Sequence, residues 1–515
     1  MIFRAAWFLL LAGLFLAAST ARRADVFVDG QVYFVDADCY SRMSRVEQVL
    51  AHPFHSIRHH DFENFPTGIA THTTAPLDWL IAALALILRP FSPQALDLAG
   101  AWISPLLGLA TLAGLWVWSE RARLPYRHAL LALLAVSPVI IQAFRLGRPD
   151  HQSLLLFLLA AGLAAEWNLW RNPTRRAALV WGFAWGLALW TSLYEPLVIF
   201  LLLAILRLAL LRRASFTGAW RIAGGTAALL FVAGVLFDGW RVSAPDPTVA
   251  KYFGAWSHSI AELASLPPLS PQFPGWIGWL APALPFLLAW RFVRNRDSRV
   301  LAILALLLAT YGLTCWQIRW GCFLVLIAAM ALPWGLAALP SRALGWTLFV
   351  LSLLPIARQW DTMLYPDEAQ LAARVEQRAD YAQLREVAMA FVSGERTGIL
   401  APWWLSPPLA YWSGQPCVAG SSHESLGGIV DTAQFYLADN DATAREILQR
   451  RNVTYVVAYE PSRVISTSAA VLGEAAPRGR LAELLYRDSG PNLPWLERVF
   501  ATPWYKIYEV KRDGL

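Results

Sequence analysis

Charge is what this 515-residue sequence has least of. Asp, Glu, Lys and Arg together make up 15% of it, against about 25% in an ordinary soluble domain. Lysine is nearly missing, with only Lys251, Lys506 and Lys511. The four cysteines (Cys39, Cys315, Cys322 and Cys417) lie far apart without CxxC spacing, so neither a disulfide framework nor a thiolate metal site has support. Apolar residues fill the space, at 57% with a mean hydropathy of +0.43. That balance excludes a disordered chain, a collagen and a disulfide-stapled secreted domain, and argues against a wholly soluble enzyme.

The apolar residues are segregated. From residue 1 to about 358 they come in long runs; from about 359 to 515 the text reads as a soluble domain. The first run, Trp7 to Ala18, suits either a cleaved signal peptide or a retained anchor. Leu77 to Leu88 is too short to span and predicts a membrane-surface helix inside a large first loop, 21–96. Ten further runs follow, at roughly 97–118, 128–144, 153–170, 177–193, 196–211, 222–238, 274–291, 300–316, 320–338 and 343–358. The net charge of +7 is almost all arginine. In a soluble protein this would suggest nucleic acid. With the amino terminus inside, the short loops 120–127, 171–176, 212–221, 291–299 and 341–342 all carry arginine and all fall inside, as the positive-inside rule requires. Arg22 and Arg23 sit on the wrong side of that rule. The expectation is a polytopic α-helical membrane protein of about eleven spans, up to thirteen. Residues 1–358 form its membrane domain, with 239–273 as a later outer loop, and 359–515 form an extracytoplasmic mixed α/β domain. Nucleic acid is not an expected partner. In a prokaryote the location would be the inner or plasma membrane.

Within the terminal domain, Val453 to Tyr459 reads as a strand, rich in β-branched and aromatic residues. Thr397 to Ala401 reads as another. Asp439 to Asp441 can cap a helix whose apolar face is Ala444, Ile447 and Leu448.

On the outer face the few acids gather in three places. Asp36-Ala37-Asp38-Cys39-Tyr40 opens the first loop, where two carboxylates can reach one hard cation if the backbone turns. Arg148-Pro149-Asp150-His151-Gln152 lies at the mouth of two spans, where Asp150 can equally be a helix N-cap. Ser259-Ile260-Ala261-Glu262 lies in the later loop, where a solvated helix face explains it as well. Arg319, flanked by Trp316 and Trp320, is either an interfacial anchor or a phosphate clamp. His52, His55, His59, His60 and His72 lack HExxH-type spacing, so zinc is not assigned.

Taken together in this order, the pieces resemble the catalytic subunit of oligosaccharyltransferase, above all the single-subunit archaeal and bacterial enzymes of the GT-C glycosyltransferases. The resemblance rests on Asp38-Cys39-Tyr40, Pro66-Thr67-Gly68, Pro76-Leu77-Asp78-Trp79, Asp150-His151-Gln152, Ser259 to Glu262, Arg319 and the pair Trp403-Trp404. Tyr411 to Pro416 and Tyr505 to Val510 are also family-like. Its Trp-Trp-Asp motif is degenerate here, with Leu405 in place of the acid, which would weaken recognition of an acceptor hydroxyl. The resemblance implies transfer of a glycan from a polyprenyl (pyro)phosphate to an acceptor, a protein in the first instance. It makes Asp38 the catalytic carboxylate, with Asp36 in reserve. It makes Asp38, Asp150, Glu262 and Gln152 the ligands of a divalent metal, magnesium or manganese, Arg319 the phosphate contact, and Trp403 and Trp404 the acceptor-binding pair. The alternative is a GT-C transferase acting on a lipid or polysaccharide. A flippase or transporter fits less well, since the text shows no mid-span charge, broken helix or repeat. An inactive scaffold stays open.

Overall fold

The computed structural model describes residues 2–53, 55–210, 218–241, 246–391, 396–475 and 480–514. The expected inner loop 212–221 and outer loop 239–273 therefore fall partly outside the described residues. The chain forms two compact units, each assembled from three segments: 1–24, 98–240 and 262–370 in the first, and 25–97, 241–261 and 371–515 in the second.

The first unit is helical. Among the described residues, five helices are long and apolar enough to cross a membrane: Ala95–Arg121, His151–Arg171, Gly218–Asp238, Ser298–Trp316 and Ile318–Leu336. Arg175–Thr191 and Tyr194–Leu210 are apolar but shorter. Close packing here depends on small residues. Gly182 and Gly186 sit four apart on Arg175–Thr191 and face Gly218–Asp238. A Cβ on Gly182 would lie 2.8 Å from the Ala223 carbonyl, and one on Gly186 2.7 Å from Leu230 Cβ. Any larger side chain there would force the two helices apart.

Three of the expected runs are broken, contrary to the reading of unbroken helices. Run 128–144 becomes Arg127–Val136 and Pro138–Ala143. Run 274–291 becomes Gln272–Ile277 and Ala283–Asn295. Run 343–358 becomes Arg342–Ser352 and Leu354–Leu364. Pro138 and Pro355, at their helix starts, lack the N–H a continuous helix needs. The breaks are satisfied by one another, because the Ser137 hydroxyl donates to the Trp276 carbonyl at 2.7 Å and the Trp279 N–H to the Ser352 carbonyl at 2.9 Å. Gly278 takes φ +88°, and a Cβ there would meet the Ser352 carbonyl at 2.4 Å. Nor are the helices free of charge. Glu166 is buried inside His151–Arg171 and accepts from the Trp181 indole.

In the second unit a short hairpin, β1 (Phe27–Val28) and β2 (Gln31–Val32), precedes the helix Ala37–Ala51. The helix Ala75–Leu88 has 14 residues, about 21 Å at 1.5 Å per residue, less than a hydrocarbon core of about 30 Å. It buries Leu77, Asp78, Ile81, Ala82 and Ala85 and exposes Leu80, Leu86 and Ile87. Residue Asp78 is wholly buried and ion-paired: its Oδ1 takes Arg42 Nη1 at 2.6 Å and its Oδ2 takes Arg45 Nη2 at 2.9 Å. This triad fastens Ala37–Ala51 to Ala75–Leu88.

Among the described residues, the carboxy-terminal part carries four more strands: β3 (Gly398–Leu400), β4 (Val453–Ala458), β5 (Leu496–Ala501) and β6 (Lys506–Val510). Their order is β3-β4-β6-β5, with β3 parallel to β4 and the other pairs antiparallel. Two of these strands are the ones expected from β-branched text. The helix Asp441–Arg450 buries Ala444, Ile447 and Leu448, as its periodicity predicts, and the Asn440 side chain caps it by accepting from Thr443 N–H at 2.9 Å.

Candidate active site

In the first unit two acids from distant stretches of chain converge on one guanidinium. Asp150 is the N-cap position of His151–Arg171, and its N–H donates to the Arg148 carbonyl at 2.8 Å. Glu262 lies in the single turn Ala261–Leu263. Arg148 Nη2 is 3.2 Å from Asp150 Oδ2 and 3.0 Å from Glu262 Oε1. Gln152 Nε2 donates to the other Glu262 oxygen at 3.4 Å, and His151 Nδ1 is 2.7 Å from Asp150 Oδ1. Arg148 is buried and braced by the Gln142 carbonyl at 3.2 Å. One position thus collects the carboxylates of Asp150 and Glu262 and the amide of Gln152 around a positive charge. Sequence reasoning quoted Arg148 without giving it a part.

Arg319, expected to clamp phosphate, forms a close ion pair with Glu195, which is buried. Ser192 Oγ donates to the second Glu195 oxygen at 2.9 Å. Glu195 was missed, although an acid opening a long apolar run is itself a functional signal.

The other expected residues belong to the second unit. Asp38 stands in the first turn of Ala37–Ala51. Asp36 is the N-cap of that helix and accepts the Cys39 N–H at 3.0 Å. The two are therefore not a matched pair: one caps the helix and the other projects from it. Trp403 and Trp404 are half-buried, their rings edge to face at 6.0 Å, with Arg463 over the Trp404 ring at 5.1 Å. Leu405 is buried in the core of the domain among Leu400, Leu409 and Val418.

Two further acids in this unit were not foreseen. Glu63 is fully buried, and burial pushes its carboxyl up to about 7 although Ser41 donates to it. Its carboxylate lies where a Cβ on Gly420 would sit, 2.0 Å away, so position 420 has room only for glycine. Glu424 is nearly buried too. Burial alone would raise it, but His72 and His423 beside it hold it well below the usual carboxylate range.

No protein-family model matches the sequence, and no curated protein matches it either. Solved structures do match. The oligosaccharyltransferase of Archaeoglobus fulgidus, crystallised with Zn and sulfate, superimposes with a TM-score of 0.71 at 15% identity, over 94% of this chain and 72% of that one. Few residues are shared, but the path of the chain is similar. This chain has the oligosaccharyltransferase fold. The archaeal oligosaccharyltransferase AglB from the same organism, in complex with an inhibitory peptide and a dolichol-phosphate, gives a TM-score of 0.65 at 15% identity over 100% of this chain and 75% of that one. ArnT from Cupriavidus metallidurans, bound to undecaprenyl phosphate, gives 0.51 at 13% identity over 98% and 97%. The oligosaccharyltransferase fold accounts for both units, the helical one and the one bearing the small sheet.

Proposed function

We propose that the chain is a membrane glycosyltransferase that moves a glycan from a polyprenyl-linked phosphate to an acceptor. The observation that carries this reading is the convergence of Asp150 and Glu262 on a single cationic position, on a fold shared with proteins solved with dolichol-phosphate and undecaprenyl phosphate. Breaking a glycosidic bond to phosphate requires the leaving phosphate to be neutralised as it departs. Arg148 and Arg319 supply fixed guanidinium groups suited to phosphate oxygens.

The donor set also fits a hard divalent cation. Asp150 and Glu262 already reach one positive group, and Gln152 brings an amide oxygen once its side chain turns over. These three would hold magnesium or manganese, which supplies Lewis-acid stabilisation of phosphate charge when bound. Asp38 orients the acceptor nucleophile or takes its proton. Its position in the first helical turn, with Asp36 committed to capping, favours it over its neighbour.

A second reading concerns the acceptor. A buried Leu405 cannot accept a hydrogen bond from a peptide hydroxyl, so Trp403 and Trp404 form an apolar surface there without an acid. That favours a lipid or polysaccharide acceptor over an Asn-sequon peptide. The test is mass spectrometry of extracytoplasmic proteins, lipids and polysaccharides from cells with and without the gene, complemented by wild type or Asp38→Asn. The proposal expects one glycosylated class to vanish without the gene and not return with Asp38→Asn. Unchanged glycosylation in all classes rejects it.

A further inference from the structure

Among the described residues, one group of side chains outside the Asp150–Glu262 cluster has metal-ligand chemistry with its ligand atoms close together. His72, His423 and Glu424 each offer one ligand atom, and the three atoms all lie within 4.8 Å of one another. All belong to the second unit. His72 Nδ1 is 2.7 Å from Glu424 Oε1, and His423 Nδ1 is 3.5 Å from Glu424 Oε2. The two imidazole rings face each other at 5.1 Å with a 35° tilt. A distance of 2.7 Å suits a hydrogen bond. It equally suits two ligand atoms on one edge of a coordination shell with bonds of about 2.0–2.2 Å.

Three features argue for a built site. The first is support. The Thr71 and Thr73 hydroxyls bond each other at 2.6 Å on either side of His72, and the His72 N–H donates to Glu424 Oε1 at 2.8 Å. His423 and Glu424 lie on the single turn His423–Ser425, closed by Ser425 Oγ to the Ser422 carbonyl at 2.7 Å. Both segments thus hold their ligands before any ion arrives, and preorganisation of this kind raises affinity. The second is access. The Glu424 side chain is 5% exposed, whereas His72 is 40% and His423 27% exposed, so the imidazoles form the open side of a pocket whose floor is a carboxylate. The third is donor type. Two imidazole nitrogens and one carboxylate are a borderline set that selects zinc over magnesium, and three protein ligands leave a fourth tetrahedral position for water or an anion.

We infer that His72, His423 and Glu424 form a zinc-binding site with one open coordination position. It ties the first loop to the carboxy-terminal domain, across 351 residues of sequence from 72 to 423. The site shares no residue with Asp150, Glu262, Gln152 or Asp38 and does not depend on the proposed transferase activity. Sequence spacing hides it, because only one of the five first-loop histidines takes part.

The experiment uses the full chain in detergent, stripped with a chelator and titrated with zinc alone, then with magnesium or manganese alone. Cobalt(II) serves as a visible substitute. Wild type should take up one equivalent of zinc at this site and give an intense tetrahedral cobalt spectrum. His72→Ala and His423→Ala, at partly exposed positions, should each weaken zinc binding about 100-fold or more and abolish the spectrum while retaining wild-type circular dichroism. Glu262→Gln should bind zinc at this site as wild type does. The inference falls if stripped wild type takes up no zinc. It also falls if uptake is unchanged in both histidine variants, or if uptake is lost in Glu262→Gln and kept in His423→Ala.

Discussion

The two units give several of their acids different partners. In the first, Asp150 and Glu262 share Arg148, and Glu195 pairs with Arg319. Guanidinium stays charged across the whole accessible pH range, so the partners of these acids do not titrate. In the second, Glu63 has hydroxyl support from Ser41, and Glu424 has the imidazoles of His72 and His423. Those partners are a hydroxyl and two imidazole rings, not guanidinium groups. The first arrangement keeps a fixed charge pattern suited to a phosphate-bearing substrate. The second makes the loop-bearing unit responsive to pH and open to a metal. Asp78 and Asp431 in the second unit are exceptions, since each pairs with two arginines, and the Asp78 triad holds helices together.

The largest effect should come from removing charge in the first unit. Asp150→Asn or Glu262→Gln should lower glycan transfer by about 100-fold or more, comparable to loss of one preorganised electrostatic contact to a transition state. Thermal stability should move little by comparison, because Arg148 retains the other carboxylate. A variant with wild-type transfer would remove the cluster from the chemistry.

Stability is the readout in the second unit. Asp78→Ala leaves Arg42 and Arg45 buried without their carboxylate and should cost about 3–5 kcal/mol, the usual penalty for breaking a buried ion pair. Chemical denaturation followed by tryptophan fluorescence measures it. A loss under 1 kcal/mol would mean that water reaches the triad.

Next in size is a pH effect. Glu63 titrates near 7 in the folded chain against 4.5 for the ordinary group. A raised carboxyl favours the folded state while protonated. Its contribution is therefore complete below about pH 4.5 and is lost as pH rises through 7. The shift corresponds to about 3 kcal/mol at most. Glu424 works in the other direction: its depressed pKa stabilises above about pH 4.5, and that contribution is lost as the solution becomes more acid. Glu63→Gln should flatten the decline in melting temperature between pH 5 and 8. An unchanged slope would show that Glu63 does not control it.

Much of the fold was legible in the residues. The strands at 398–400 and 453–458 and the buried face of 441–450 follow from β-branching and from 3.6-residue periodicity, which are local signals. The long helices follow from apolar runs. The three breaks were less legible, because Pro138 and Pro355 sit inside apolar text and their compensation comes from Trp276 and Trp279, far away in the chain. The candidate site was readable only as a list of acids. Residue type marks Asp150 and Glu262, but not that Arg148 lies between them, 114 residues from Glu262. Likewise Arg319 was conspicuous beside its tryptophans, whereas Glu195 became visible only by burial. Glu63 and Glu424 carry no local pattern at all, since what perturbs them is enclosure by distant segments.

The smallest change in stability separates two neighbours that the sequence leaves almost equal. Asp36 and Asp38 both open the helix Ala37–Ala51, but Asp36 accepts the Cys39 N–H as its N-cap. Replacing a capping Asp by Ala costs about 1 kcal/mol through the orphaned backbone donor. Asp36→Ala should therefore lower stability by about that amount and leave glycan transfer within a few-fold of wild type. Asp38→Asn removes no cap, so it should leave stability almost unchanged and abolish transfer. Measuring both quantities for both variants makes the comparison decisive. If Asp36→Ala loses transfer and Asp38→Asn keeps it, the capping carboxylate is also the reacting one, and the role assigned to Asp38 passes to Asp36.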